Sequence, residues 1–528
     1  MKRVRNLSFA ARFALATVSG CLWFLAVSPF DLALLAWIAS VPMLLAIDRA
    51  PTCRQALLLG WWAGLVETAG GSYWLIDVQQ RFAGFPWIVA AFVFLLFCSA
   101  RALIFLLCTA VIRGVRRWRP LPMTLLAPIA MVSGELVVPQ IFPCGQWISQ
   151  AWHPLAIQVS EITGALGVTA LLMMVNGALY DLVDRPRAAR LPVACAALLL
   201  GAALGLGALR IRQVDQSIAE APRLKIGLVQ PNFSYDANGE VTHEEVLRQL
   251  QELQTQSQRL EQAGAEFLLW SEGSYPMALP REFAQDFAPD SLARVRRGFT
   301  VPTLIGASMV ADNAAEDAFN SALLIAPDGR VTGMYDKVRL LAFGEYVPGV
   351  ETFPWLRRFL PEGSGRFTAG KQPGIIELPR AGGTAWRLAP VICYEDILQG
   401  FLQGVGRLHP NLLVNLTSDS WFGADSEPWQ HLALSVFASV EMRVSMVRAV
   451  NSGVSALIDA NGRVLVKTYA DDPLRNPRPA DGIVVNAPMM APARTWFVAT
   501  GNLFAYLCVT ASALLWGAAM WQTRRARR

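Results

Sequence analysis

Hydrophobic and polar positions divide this chain into two regimes. Long apolar runs reach from about residue 12 to Phe30 and recur near 32–47, 56–76, 86–112, 122–138, 162–183 and 191–209, with a last one near 496–522. Several approach the ~20 residues that a helix needs to cross a bilayer. Between these regions the pattern changes to short apolar runs separated by polar stretches and turn signals. Leu224 to Gln230, Glu266 to Trp270, Thr303 to Val310, Phe319 to Ala326, Asn411 to Leu416, 453–459 and 463–469 read as strands. The stretches 243–262 and 429–448 read as helices, and Pro327-Asp328-Gly329 and Asn461-Gly462 as turns. The expectation is a multispan α-helical membrane domain followed by one α/β domain.

Charge refines the topology. The start is basic (Lys2, Arg3, Arg5, Arg12) and runs into an apolar stretch like a signal peptide, with Val18-Ser19-Gly20-Cys21 resembling a lipoprotein cleavage site. The apolar run continues through Leu22-Trp23-Phe24-Leu25 and further spans follow, so an uncleaved first span is expected. Arg49 and Arg54, then Arg113, Arg116, Arg117 and Arg119, then Arg185, Arg187 and Arg190, and finally Arg524, Arg525, Arg527 and Arg528 fall on the side of the amino terminus, while the other loops carry essentially only Arg81. The positive-inside rule places the arginine side in the cytoplasm. The expected organisation is therefore a membrane domain of about seven helices over 1–210, an external domain over 211–495, and a last span with a basic tail over 496–528. Composition agrees: 54% hydrophobic and 16% charged is too apolar for an ordinary soluble enzyme. The net charge of +6 comes from these grouped arginines, so it does not point to nucleic acid.

Candidate chemistry centres on one thiol. Of the eight cysteines, Cys21, Cys53, Cys98, Cys108, Cys144, Cys195 and Cys508 lie in or beside apolar segments, and only Cys393 lies in the polar middle. No CxxC pair occurs and the histidines at 153, 243, 409 and 431 lack metal-ligand spacing, so neither a disulfide framework nor a metal site is indicated. Trp386 to Ile397 reads as strand, tight turn and helix with Cys393 on the turn, at the carboxyl edge of a sheet and beside a helix start. Both features favour a thiolate; the alternative is a packed cysteine at a strand end. Glu272 and Lys337 each stand just past a strand or in the following loop. Acyl transfer through a thiol needs a base and a group that stabilises the oxyanion, which Glu272 and Lys337 would supply, with help from the backbone N–H of Tyr394. Taken singly, Glu272 also reads as a helix-start carboxylate and Lys337 as a surface charge. The loop Phe353-Pro354-Trp355-Leu356-Arg357-Arg358-Phe359-Leu360 reads as an interfacial or acyl-gating segment, hinged near Gly363 and Gly365, or as a loop packed on its own domain.

Glu272, Lys337 and Cys393, in this order, resemble the Glu-Lys-Cys triad of the nitrilase (carbon–nitrogen hydrolase) superfamily. The flanks narrow the resemblance to the apolipoprotein N-acyltransferase family. Tyr335-Asp336-Lys337 through Gly344-Glu345-Tyr346-Val347-Pro348 resembles its lysine motif, and Ile392-Cys393-Tyr394-Glu395 its nucleophile motif. Asn415 to Gly423, with Trp421 and Phe422, and Arg448 to Gly453 resemble later motifs, and Ser28 to Asp31 with Gly60 to Trp74 suit its membrane half. The resemblance implies an α-β-β-α sandwich on the periplasmic face of a multi-pass bacterial inner-membrane protein. It implies that an acyl chain passes from a phospholipid to Cys393 as a thioester, then to the α-amino group of an apolipoprotein's diacylglyceryl-cysteine, with no metal or cofactor. Glu345 would be a second carboxylate, Tyr394 an oxyanion neighbour and Glu395 a supporting acid; Glu345 and Glu395 read equally as loop salt bridges. Asn415, Trp421, Phe422, Trp355 and Phe359 are the substrate-binding candidates. Arg339 and Ala342 stand where the family usually has histidine and proline, Ser271 departs from a Trp-Pro-Glu context, and no tryptophan follows the first strand between Asn232 and Glu240. A membrane-tethered amidase of the same superfamily shares the triad. A non-catalytic scaffold, the third reading, would not need all three residues.

Overall fold

The computed structural model describes residues 7–234, 242–310, 318–350, 352–355, 367–380, 382–423, 425–468 and 482–525. Backbone contacts separate the chain into two compact units, one comprising Met1–Ile76, Phe85–Arg212 and Thr500–Arg528, the other Asp77–Gly84 and Gln213–Ala499.

The first unit is helical. Ser8 and Thr52 cap the helices Phe9–Leu25 and Cys53–Gly71 by accepting the N–H of Ala11 (3.1 Å) and Gln55 (3.2 Å). Trp87–Trp118, Leu166–Asp184, Arg190–Glu220 and Leu503–Gln522 are long and apolar enough to cross a membrane, and Phe9–Leu25, Ala33–Asp48 and Met123–Val137 are shorter apolar helices. The stretch expected as one span over 32–47 is a 3-10 turn, Ala33–Trp37, followed by the helix Val41–Asp48. The first and third helices pack closely through glycine, since a Cβ on Gly20 would meet the carbonyl oxygen of Ala63 at 2.6 Å. Arginines from separate segments share one end of the bundle. Arg113 donates to the carbonyls of Asp48 and Ala50 (both 3.0 Å), Arg116 pairs with Asp48 at 3.0 Å, and Arg49 lies 3.7 Å from Asp184. Asp181 accepts the N–H of Met123 and Thr124 at the same end.

The second unit contains two sheets. The first is built from β1 (Arg223–Leu228), β2 (Phe267–Leu269), β3 (Leu279–Pro280), β4 (Thr303–Val310), β5 (Ala318–Ile325) and β6 (Val331–Asp336). The second uses β7 (Ile376–Leu378), β8 (Trp386–Ile392), β9 (Leu412–Thr417), β10 (Met446–Val450), β11 (Ala456–Ile458) and β12 (Val464–Lys467), while β13 (Ile483–Pro488) returns to the first. The orders are β13-β1-β2-β4-β5-β6, with β3 beside β4, and β12-β11-β10-β9-β8-β7. Pairs β1/β2, β2/β4, β8/β9 and β9/β10 are parallel. The sheets face each other: β5 touches β8, and a Cβ on Gly333 of β6 would lie 2.8 Å from Ile376 of β7. Helix His243–Gln262 covers β1 and β2, and helix Glu427–Met442 packs on the turn after β8. This is the α-β-β-α sandwich.

Three expectations are corrected. The helix read over 429–448 ends at Met442, where Arg443 takes a left-handed φ of +54°, and Met446–Val450 is a strand. Strand β10 is buried at every position, so the sequence has no alternation there to mark the change of period. Strand β13, absent from the sequence reading, pairs antiparallel with β1 as the edge of its sheet. After Cys393 the chain makes a five-residue 3-10 turn, Cys393–Ile397, and the α-helix starts only at Gln399.

Candidate active site

Glu272 follows β2 and Lys337 follows β6, while Cys393 follows β8 and Ser418 follows β9. Each sheet thus presents its candidate side chains at the carboxyl edge of its strands, where open α/β folds place their sites. Cys393 has a left-handed φ of +54°, an uncommon conformation for a residue with a Cβ that lifts its side chain out of the strand's line. Two buried side chains hold this elbow. The Nδ2 of Asn415 donates to the carbonyls of Val391 (3.3 Å) and Cys393 (3.1 Å), and Glu395 accepts the N–H of Ile392 (2.8 Å). Asn415, expected to touch substrate, is fully buried and holds the backbone of the turn that carries Cys393.

Glu395 also reaches the other sheet. It accepts the N–H groups of Val338 (2.7 Å) and Arg339 (2.9 Å) and the hydroxyl of Tyr335 (2.8 Å). One carboxylate thereby ties the segment carrying Lys337 to the segment carrying Cys393. Burial pushes its pKa up to about 7, against the pull of the backbone N–H groups of Ile392 and Arg339. In Glu395→Gln, whichever way the amide faces, its NH2 meets at least one buried backbone N–H that needs an acceptor. An unsatisfied buried donor costs about 1–3 kcal/mol. The expected outcome is a fall in Tm and a loss of activity of roughly tenfold or more, checked by thermal unfolding and acyl-transfer assays on the purified variant.

Lys337 is 1% exposed and bridges two carboxylates, with Nζ 3.0 Å from Glu272 Oε1 and 2.8 Å from Glu345 Oε2. Asn320 of β5 bridges the same pair, donating to Glu272 Oε1 (2.7 Å) and Glu345 Oε1 (2.9 Å). The second oxygen of Glu272 accepts the N–H of Ser418 (3.1 Å), and that of Glu345 accepts the N–H of Leu341 (2.8 Å). Burial opposes the charge on Lys337, but Glu272 and Glu345 outweigh it and hold its pKa well above the usual lysine range. Burial raises the pKa of Glu272, Lys337 opposes the rise, and Glu345 adds to it. Burial also drives the Cys393 thiol well above its usual value, Glu272 reinforces this, and Lys337 works against it. Both shifts run against the expected thiolate: burial and Glu272 favour the protonated form of Cys393, and the proton affinity of Glu272 is raised as well.

The remaining candidates divide. The Tyr394 hydroxyl donates to the Leu340 carbonyl (2.7 Å) and its ring lies 5.9 Å from Lys337 Nζ. The Trp421 ring packs 4.8 Å from Phe82, Phe422 is buried, and Trp355 is half-exposed. Phe359 and the hinge glycines Gly363 and Gly365 lie outside the described residues. Asn320 and Asp396 have no role in the sequence reading, and Ser418, Asp419 and Arg448 enter it only as members of the later motifs; Asp396, Asp419, His431 and Arg448 form a buried network. A polar Asn320-Ser321 inside an apolar strand is the one signal for Asn320, and His431 has no metal-ligand spacing to single it out. Asp419, Glu427 and His431 cluster as metal ligands do. Both His431 ring nitrogens are occupied by carboxylates, however, and the Arg448 guanidinium lies 3.9 Å from Asp419 Oδ2, so this cluster is an ion network and a poor seat for a cation.

Comparison with known proteins fits this geometry. Residues 19–178 match the apolipoprotein N-acyltransferase N-terminal domain and residues 225–472 the carbon-nitrogen hydrolase domain. An apolipoprotein N-acyltransferase of Geobacter metallireducens is 30% identical over 516 residues, covering 95% of this chain and 94% of that protein. The chain belongs to the apolipoprotein N-acyltransferase family. Relatives of the same name from Chlorobaculum tepidum (28% identical, 83% of this chain and 84% of that protein) and Rhodopseudomonas palustris (27%, 86% and 87%) also align over both halves. Among solved structures, a nitrilase-superfamily amidase of Nesterenkonia AN1 is similar at 17% identity and a TM-score of 0.34, covering 51% of this chain and 93% of that one. Within the apolipoprotein N-acyltransferase family, the residues that matched its lysine and nucleophile motifs here form one connected group around Lys337 and Cys393.

Proposed function

We propose that this protein is an apolipoprotein N-acyltransferase that works by a two-step exchange through Cys393. The observation that carries the mechanism is the pairing of a thiol on a left-handed elbow with a buried lysine held between Glu272 and Glu345. In the first step Glu272 takes the S–H proton as Sγ attacks the ester carbonyl of a phospholipid. The ammonium of Lys337 and the N–H of Tyr394 receive the oxyanion, the ester C–O bond breaks, and the leaving alkoxide takes the proton from Glu272, leaving a thioester. In the second step the free α-amino group of a diacylglyceryl-cysteine attacks the thioester. Glu272 accepts the amine proton, the C–S bond breaks, and the proton returns to sulfur as the amide forms. Reaction through a thioester fits an amine acceptor, because a thioester stays reactive toward amines.

Lipidic substrates account for the rest of the chain. Among the described residues four helices have the length and composition of membrane spans, and Phe343, Phe353 and Trp355 stand exposed beside the lysine segment. We place the end of the bundle that gathers Arg49, Arg113 and Arg116 in the cytoplasm and the catalytic domain on the periplasmic face of the inner membrane. Purified protein given acyl-labelled phospholipid and a diacylglyceryl peptide with a free amino terminus is expected to yield labelled N-acyl peptide. Ammonia release from small amides, with no labelled peptide, would favour the amidase reading instead.

A further inference from the structure

Behind the nucleophile lies a buried charge network that the two chemical steps do not use. His431, on helix Glu427–Met442, places Nε2 3.0 Å from Asp396 Oδ1 and Nδ1 2.9 Å from Asp419 Oδ1. A carboxylate only accepts hydrogen bonds, so two such partners require a proton on each ring nitrogen, which makes the ring an imidazolium. All three residues are buried. The two aspartates belong to the segments that matter most for the chemistry. Asp396 sits in the turn Cys393–Ile397 that carries the nucleophile, and Asp419 follows Ser418, whose N–H holds Glu272.

We propose that His431 is a positioning residue for acyl transfer: its imidazolium clamps the Cys393 turn to the loop that orients Glu272 and cancels the negative charge behind the thiol. This rests on the assignment of Cys393 as nucleophile. The surrounding groups account for the charge balance. Arg448 of β10 pairs with Asp396 and lies 3.9 Å from Asp419 Oδ2. Ser435 of the same helix donates to Asp396 Oδ2 at 2.7 Å. Glu427, one turn before His431, has its pKa pushed well above the glutamate range by burial and then by Asp419, which favours its neutral form. Two aspartates thus face Arg448 and His431. Burial and Arg448 oppose the charge on His431, while Asp396 and Asp419 prevail and lift its pKa to about 10. Without the imidazolium one negative charge is left over, and the charge of Asp419 already raises the Cys393 thiol.

The test reads the thiol itself. Alkylation of Cys393 by iodoacetamide is followed against pH by mass spectrometry of its peptide, in full-length protein in detergent. In His431→Gln the midpoint is expected to rise by about one pH unit, and kcat to fall about tenfold with the KM for phospholipid unchanged. His431→Gln combined with Asp419→Asn restores the charge balance and is expected to bring the midpoint back toward that of the native protein, even if the single variant folds poorly. A residue with only a packing role would leave the midpoint where it is, or make the double variant worse than the single one; either result overturns the proposal. Failure of the nucleophile assignment looks different: native protein would N-acylate peptide with no acyl group ever found on Cys393.

Discussion

Lys337→Ala is expected to lower kcat/KM for N-acylation by roughly 10³-fold while the domain still folds. Loss of a single oxyanion donor costs about 10²–10³-fold in comparable sites, and here the damage spreads. The ammonium is the cation shared by Glu272 and Glu345, and Asn320 alone cannot neutralise two buried carboxylates. Without that cation the two carboxylates repel each other, which disturbs Glu272 as a base. The oxyanion would still meet the Tyr394 N–H, so a trace of activity is expected. Steady-state kinetics with labelled phospholipid and a diacylglyceryl peptide measure the fall, and thermal unfolding checks the fold. Turnover within tenfold of the native protein would remove lysine from the chemistry.

The second large effect concerns Glu272→Gln. The amide keeps the size of the side chain, and its oxygen can still accept from Lys337, yet it cannot take a proton from sulfur. General-base loss is worth about 10²–10⁴-fold, and both acylation and transfer to the amine should bear it, since Glu272 takes the proton in each. The sign of the pH dependence follows from the raised pKa of Glu272, which reflects burial first, opposed by Lys337 and aided by Glu345. The protonated carboxyl is inactive, so the rate should fall as pH drops through a midpoint above the ordinary glutamate range. Burst kinetics of lyso-phospholipid release from the native protein should show this acid limb, and in Glu272→Gln the residual rate should lose it. An acid limb that persists in the variant would assign the base elsewhere.

Much of this site was legible in the sequence because its parts are local. Strand-end positions for Glu272, Lys337 and Cys393 follow from short apolar runs that stop at a charged residue or a thiol, and the flanking motifs fix which family uses them. What stayed hidden depends on contacts between segments far apart in the chain. Asn320 carries no mark beyond being polar in a buried strand, but the fold sets it between two carboxylates. Glu395 reads as one acid in an acidic pair, and only the facing of two sheets reveals that it ties their active-site segments together. The electrostatics around the thiol are hidden for the same reason. A helix start was expected beside Cys393, whereas a 3-10 turn intervenes and burial among carboxylates sets the proton affinity. In the helical unit, runs of apolar residues located the helices, but composition could not show that Val41–Asp48 is a short helix after a turn, nor that Arg190–Glu220 continues well past its apolar part.

The most direct measurement is to trap the acyl-enzyme. Protein incubated with labelled phospholipid and no acceptor is quenched in acid, digested and mapped by mass spectrometry, then treated with neutral hydroxylamine. The expected result is one fatty acyl group on the Cys393 peptide, released by hydroxylamine, transferred on adding diacylglyceryl peptide, and missing in Cys393→Ala. Continued N-acylation of peptide with Cys393 unmodified, or by the alanine variant, would contradict the account.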